Sequence, residues 1–274
     1  MNKTVHSADE QAAERAFSKQ SAIFDELYSS NLIIQYKRRR VRDHVSEFIK
    51  PGSKILELNA GTGDDAIWFA RHGHHVHATD ISKAMQERLI EKVNRNNLRS
   101  KITWELCSFT ELPGLNDKGP YDLIFSNFAG LNCTGALNKV LGSLSVLLNP
   151  GGMVTLVILP KFCLWETMTA VRGEFKTAFR RFFSSKGVKA QIEGEYFTCW
   201  YYNPSYIIKN LKNSFDVLRV EGLCTLVPPS YLENFPDKRP SLFNWLKEKE
   251  SKWKTRWPWK SIGDYYIISL KKKM

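Results

Sequence analysis

The sequence predicts an α/β fold of the doubly wound kind, a mainly parallel sheet with helices on both faces, and three observations carry that reading. Lys54 to Leu58 is a short apolar run of the sort a central parallel strand needs, and it passes through Gly61 and Gly63 into a helical pattern. The next apolar run closes on Ala78-Thr79-Asp80-Ile81-Ser82, which puts an acid about 20 residues beyond the glycine turn. Two more strand-like runs, Tyr121 to Phe125 and Gly152 to Leu159, flank a helical stretch at 134–148.

Taken in order, the chain opens with Ala12, Ala13, Ala16, Phe17, Ile23, Phe24 and Leu27 at helical spacing, which predicts an amphipathic helix over 8–28. A second helix at about 31–49 ends before Pro51-Gly52. The turn after the first strand takes glycines because side chains there would keep a ligand off the backbone. Asp64 and Asp65 then stand in the first turn of a helix whose buried stripe is Ala66, Ile67, Phe69 and Ala70. Gly61 to Ala66 also fits the dinucleotide pattern G-x-G-x-x-A. A pyrophosphate lies on the helix N-terminus, where two acids would repel it, so the charges favour a ligand carrying positive groups. Glu57, a carboxylate near the end of an apolar strand, needs a backbone amide or a cationic ligand group as partner.

With E-L-N-A-G-T-G at 57–63, the acid in A-T-D-I-S at 78–82, Y-D-L-I-F at 121–125 and N-P-G-G at 149–152, the sequence resembles the class I S-adenosylmethionine-dependent methyltransferases over about residues 45–160. The resemblance implies a Rossmann-like seven-stranded sheet with an antiparallel last strand, S-adenosylmethionine as cofactor, and Asp80 as acceptor of both ribose hydroxyls. It implies cofactor contacts at Glu57, Asn59, Gly61, Gly63, Asp80 and Ile81, and at Asn127 and Phe128 after the fourth strand, near the methyl group. One departure is Cys107-Ser108-Phe109 where many members hold the adenine amino group with an acid. Ser108 and Phe109 are then the candidates for adenine, by hydroxyl and by stacking.

Composition limits the alternatives. With 274 residues, 43% of them hydrophobic and 25% charged, the chain can bury a substantial core as one large domain. No apolar run is long enough to span a membrane, and the polar start lacks the apolar centre of a signal peptide. Five irregularly spaced cysteines point to reduced thiols and a cytoplasmic setting. The net charge of +12 gathers at 37–40, 172–189 and 247–260 and suits either solubility or an anionic partner, nucleic acid among them. In His72 to His77, His75 and His77 share a strand face, but no carboxylate or cysteine is expected beside them, so no metal site is predicted.

From Pro160 the chain departs from a minimal fold. Residues 162–183 have helical spacing with Arg180 and Arg181, and Val188 to Trp200 reads as a hairpin around Gly194. Asn203-Pro204-Ser205 starts another helix, a strand is expected at 215–225, and an aromatic-rich insertion at 228–263 precedes the last strand, 265–270. The expected organisation is a single methyltransferase domain over 1–274, with a core of 45–160 and 211–274 and a helical and hairpin cap from 1–44, 161–210 and 228–262. Tyr28 and Tyr36, in the segment that folds over the cofactor in the family, with Arg180, Tyr202 and Tyr231, are the candidates for contacting substrate, and no catalytic base is nominated. The expected function is methyl transfer to oxygen or nitrogen of a small-molecule or lipid-like acceptor. The alternatives are an RNA-modifying or nucleic-acid-binding protein and, from the shared glycine pattern, an NAD-dependent oxidoreductase.

Overall fold

The computed structural model describes residues 8–274. The chain begins with helices α1 (Ala8–Gln20), α2 (Phe24–Ser29) and α3 (Leu32–Ser46). The single helix expected over 8–28 is broken by a turn at 21–23, and Asn31 caps α3 by accepting from the amides of Ile33 and Ile34. Strand β1 (Lys54–Leu58), α4 (Asp64–Arg71), β2 (His75–Asp80), α5 (Lys83–Arg95) and β3 (Ile102–Leu106) follow. Then come β4 (Tyr121–Ser126), α6 (Leu137–Ser143) and β5 (Leu148–Ile158). The inserted part carries α7 (Leu164–Met168), α8 (Phe175–Phe179) and the hairpin β6 (Val188–Ile192) with β7 (Glu195–Cys199). Helix α9 (Pro204–Leu211), β8 (Phe215–Leu223), α10 (Phe235–Lys238), α11 (Pro240–Trp253) and β9 (Tyr265–Lys272) complete it.

Seven strands form one sheet in the order β3-β2-β1-β4-β5-β9-β8. Strands β1 to β5 pair in parallel, and β9 runs antiparallel to both of its neighbours, β5 and β8. Period-two alternation divides the core in two. Ile55, Leu123, Phe125 and Ile267 face α3, α4 and α5 through Val41, Phe69 and Leu89. Leu56, Leu58, Ile124 and Ile268 face α6 and α9 through Leu137, Val140 and Ile207. Helices on both faces explain why β1 and β4 read as unbroken apolar runs.

The hairpin packs on α1, where Ala13 and Ala16 meet Phe197 and Cys199. The chain leaves β1 toward β2 and β3, then returns to β4 on the other side of β1. This reversal makes the C-terminal ends of β1 and β4 the topological switch point, where such sheets open a crevice for a ligand.

Candidate active site

A cleft with about 890 Å³ of empty volume, part of it open to solvent, lies at that switch point. Its floor is Glu57, Asn59, Gly61, Asp80, Ile81, Asn127 and Phe128, with Phe109 at one end. Its roof is the N-terminal segment, through Glu10, Ala13, Glu14, Phe17 and Phe24. The roof is pinned at several points. The buried Glu10 carboxylate accepts from the hydroxyls of Ser108, Thr110 and Thr134, Ser18 meets Ser82 at 2.8 Å, and Asp25 accepts from Thr62 and Lys92.

The floor is held by a polar bracket between the two strand ends. Asn59, at φ 48, donates to the carbonyl of Asn127 at 2.9 Å and accepts from the Ser126 hydroxyl at 2.6 Å. A β-carbon on Gly130 would fall 2.3 Å from Asn59 Cγ, so only glycine permits that approach. Phe128 and Ala129 also take left-handed φ values, 50 and 59, and Phe128 donates its amide to Asn127 Oδ1. A bulky residue held there is strained backbone, and strain of this kind gathers where a side chain must be aimed at a ligand.

Two carboxylates in the cleft differ in their bonding. Asp80 accepts from the Gly61 amide and the Ser82 amide, both at 2.8 Å, and keeps further lone pairs; burial raises its pKa while those amides oppose the rise. Glu57 is 3% exposed and its Oε2 has no partner. Burial, reinforced by the neighbouring Asp65 charge, holds its pKa well above the usual carboxylate range. Beside them, Gly61 has φ +56, and a β-carbon there would meet no protein atom within 4 Å. That open space belongs to the cleft.

The acids at the start of α4 do not act as the sequence argument supposed. Asp64 is bound by Arg38 at 2.7 Å and by Lys92, and Asp65 by Arg42 at 2.7 Å and by the Asn127 amide at 2.7 Å. Their charges are matched by α3 and α5, so the case against a dinucleotide that rested on two unpaired acids falls away. The partner cations lie many residues from the loop, and the local pattern could not show them. Arg38, with its guanidinium 4.9 Å from the Phe128 ring centre and its side chain on the cleft, is a site residue the sequence reading missed. Glu10 is another.

Of the residues expected at the cofactor, Gly63 and Ser108 do not line this cleft. Gly63 stands as N-cap of α4, where a β-carbon would strike Leu89 at 2.7 Å. Ser108 is buried with its hydroxyl donated to Glu10, beside a separate, more open groove that Ile81 also lines. Among the expected substrate residues, Tyr28 alone adjoins the cleft, stacked on Phe24 at 4.3 Å and edge-on to Phe128 at 6.4 Å. Tyr36 is turned into a network with Arg40 and Glu250, under α11. Tyr202 donates to the Thr134 carbonyl at 2.6 Å and packs in the core. Arg180 grips both oxygens of Glu166 at 2.9 and 2.6 Å, and its neighbour Arg181 is buried between Glu166 and Asp264. Tyr231 is 58% exposed and does not line the cleft.

Beyond Phe128 the strand ends carry a second polar group. The Lys37 ammonium, 2% exposed, donates to Ser230 at 3.0 Å and lies 4.0 Å from Asp264 and 4.5 Å from the Tyr265 ring centre. Cys163, Glu166 and Asp264 stand close enough together to hold a metal ion, the one such group among the described residues, but Arg180 and Arg181 already supply the positive charge there. Among the histidines, His77 lies 3.4 Å from Glu105 on the neighbouring strand, a carboxylate the sequence reading did not anticipate.

The fold and cleft define a Rossmann-like cofactor-binding protein with the crevice at the β1/β4 switch point. Residues 55–152 match the family model of a methyltransferase domain. The ubiquinone/menaquinone C-methyltransferase UbiE of Vibrio parahaemolyticus is 34% identical over 107 residues, 38% of this chain and 40% of that protein. The chain therefore spans less than half the length of such a curated relative. Among solved structures, the 1,6-didemethyltoxoflavin-N1-methyltransferase of Burkholderia thailandensis superposes with a TM-score of 0.57 at 13% identity, over 100% of this chain and 94% of that one. The [4+2]-cyclase SpnF superposes with a TM-score of 0.63 at 14% identity, over 97% and 96%. Residues 55–152 thus resemble a methyltransferase domain, and the seven-stranded sheet around them is that of the Rossmann-like methyltransferase fold. The cleft fits S-adenosylmethionine: an unpartnered buried carboxylate suits an ammonium, Asp80 suits a diol, and the Gly61 turn leaves room beside them.

Proposed function

We propose that this protein transfers a methyl group from S-adenosylmethionine to an oxygen or nitrogen of a small-molecule or lipid-like acceptor. The observation that carries the cofactor half is Glu57, a buried carboxylate with one oxygen left without a partner in the cleft, a costly arrangement unless a cation completes it. When bound, the cofactor supplies an electrophilic methyl on a sulfonium. Glu57 would hold its ammonium, Arg38 its carboxylate, Asp80 its ribose, and Ile81 with Phe109 its adenine. Asn127, Phe128 and Tyr28 would close the other end and keep water from it.

The acceptor half rests on placement. Tyr28, Lys37, Ser230 and Asp264 gather beyond Phe128, and the segments 8–44, 161–210 and 228–262 would form the cap through which an acceptor approaches. Relatives named for N-methylation of a heterocycle and C-methylation of a quinone agree with a small acceptor. SpnF shows that the fold by itself does not fix the reaction. The test is binding, then turnover. Calorimetry should show S-adenosylhomocysteine binding and NADH failing to bind, and labelled S-adenosylmethionine should pass label to phenol, amine or quinone acceptors. Tight NADH binding without S-adenosylhomocysteine binding would refute the proposal, and label entering only an RNA fraction would move the acceptor to nucleic acid.

A further inference from the structure

Helices α7 and α8 and the turn between them pack on one another beside the ends of β5 and β9, and this small unit presents a surface that the proposed reaction does not use. Within sixteen residues Met168, Val171, Phe175, Phe179, Phe182 and Phe183 are exposed, Val171 by 91%, Phe183 by 83% and Phe175 by 62%. Phe162, Phe179 and Phe182 form one aromatic group, with Phe182 touching the other two at ring-centre distances of 5.4 and 5.9 Å. Isolated exposed apolar residues are ordinary, but a cluster of large ones on one short unit marks a surface that is covered in use.

The charges around it choose the partner. Arg172, Lys176 and Lys186 are exposed in the same segment, against the single exposed acid Glu174, and among the described residues none of the three cations has an ion-pair partner. The acid inside the unit, Glu166, is buried and matched by Arg180 and Arg181. The surface therefore offers aromatic rings together with uncompensated positive charge, in a protein of net charge +12. Aromatic side chains that enter the headgroup region, flanked by Lys and Arg that meet anionic lipids, are the composition of an interfacial anchor.

We propose that the 168–186 unit is a membrane-docking surface that seats the protein on an anionic phospholipid bilayer. No helix of the described residues is long and apolar enough to cross a membrane, so the attachment is peripheral. Arg181 ties the unit to the start of β9 through Asp264, at the same end of the strands as the cleft. A lipid-like acceptor could then reach the cleft without crossing water. That last step rests on the proposed methyl transfer, whereas the docking does not.

The test is co-sedimentation of the full chain with large vesicles of phosphatidylcholine, with and without phosphatidylglycerol. Binding is expected only to the anionic vesicles and should weaken as salt is raised. Phe175→Ser with Phe183→Ser should lower the partition constant at least about tenfold, since both rings are largely exposed and the substitutions remove apolar surface without disturbing the core. S-adenosylhomocysteine affinity and the melting temperature of that variant should match the parent, which separates failed docking from a failed fold and from failure of the methyltransferase assignment. Absence of vesicle binding at low salt would overturn the proposal. So would binding that the double variant retains in full, which would reflect overall charge alone, or a vesicle-independent dimer that the same substitutions abolish, which would make this face a contact with a second copy.

Discussion

Replacing Glu57 by Gln separates what the cleft costs the fold from what it gives the ligand. In the ligand-free protein the carboxylate is 3% exposed with one oxygen unpartnered, so removing its charge relieves a desolvation cost and should raise stability by up to about 1 kcal/mol, roughly 2 °C in Tm. In the complex the carboxylate would make a charge-assisted hydrogen bond to the ammonium, about 1.5 to 3 kcal/mol, of which a neutral amide keeps about 1. The net loss of about 0.5 to 2 kcal/mol corresponds to roughly 2- to 30-fold weaker binding. The pH dependence has a definite sign. Burial and Asp65 raise the Glu57 pKa above its ordinary 4.5, so the folded ligand-free protein loses stability as pH rises through that raised value. An ammonium lowers the pKa again. Binding therefore expels a proton inside that window, and affinity for S-adenosylhomocysteine should climb with pH and level off above it, a climb the Glu57→Gln variant should lack. Calorimetry at several pH values, with a melting curve for each protein, checks all of this. A variant that binds as well as the parent, or a parent whose affinity is flat from pH 4.5 upward, would remove Glu57 from the cofactor's partners.

Two further outcomes are expected from substitution. Asp80→Asn should weaken S-adenosylhomocysteine at least about tenfold by loss of charge-assisted bonds to the ribose, with calorimetry as the readout; its NH2 cannot accept from the Gly61 or Ser82 amide that it then faces, so denaturant titration should also show a loss of about 1 to 3 kcal/mol. Arg181→Met should destabilise the protein by about 3 to 5 kcal/mol in denaturant titrations because it removes the buried cation between Glu166 and Asp264 and leaves Asp264 with only Lys37 at 4.0 Å, whereas Arg180→Ala, whose partly exposed side chain is screened by water, should cost about 1 kcal/mol or less.

Those adjacent arginines show where sequence reasoning stopped. Their spacing and aromatic neighbours suggested guanidinium groups free for a substrate, and the acids that claim them, Glu166 and Asp264, lie on separate elements. The same limit hid the partners of Asp64 and Asp65, which come from α3 and α5. What was legible was local. The β1 run, the glycines after it, the acid closing β2 and the hairpin at Gly194 each follow from a few neighbouring residues with fixed backbone demands. The seven-stranded sheet with an antiparallel last strand, implied by the family resemblance, also came through, and its parallel strands were legible because helices on both faces of a sheet leave largely apolar runs. Tyr36 and Tyr202 misled for the opposite reason: a tyrosine on a helix or after a strand reads alike whether its hydroxyl meets a ligand or, as here, Glu250 or a main-chain carbonyl.

The place of β9 imposes a timetable on synthesis. It follows every other strand in the chain, yet it lies inside the sheet, with β5 on one side and β8 on the other. As the nascent chain leaves the ribosome, β5 must wait with its outer row of amides and carbonyls unpaired while residues 159–264 are made, and β8 emerges with no strand to join. An open apolar edge of that kind invites pairing with another chain. The same two rows close together only when 265–272 slide between them, so an arrested or clipped product lacking that segment loses the partner of two strands at once and becomes a template for aggregation rather than a slightly shorter protein.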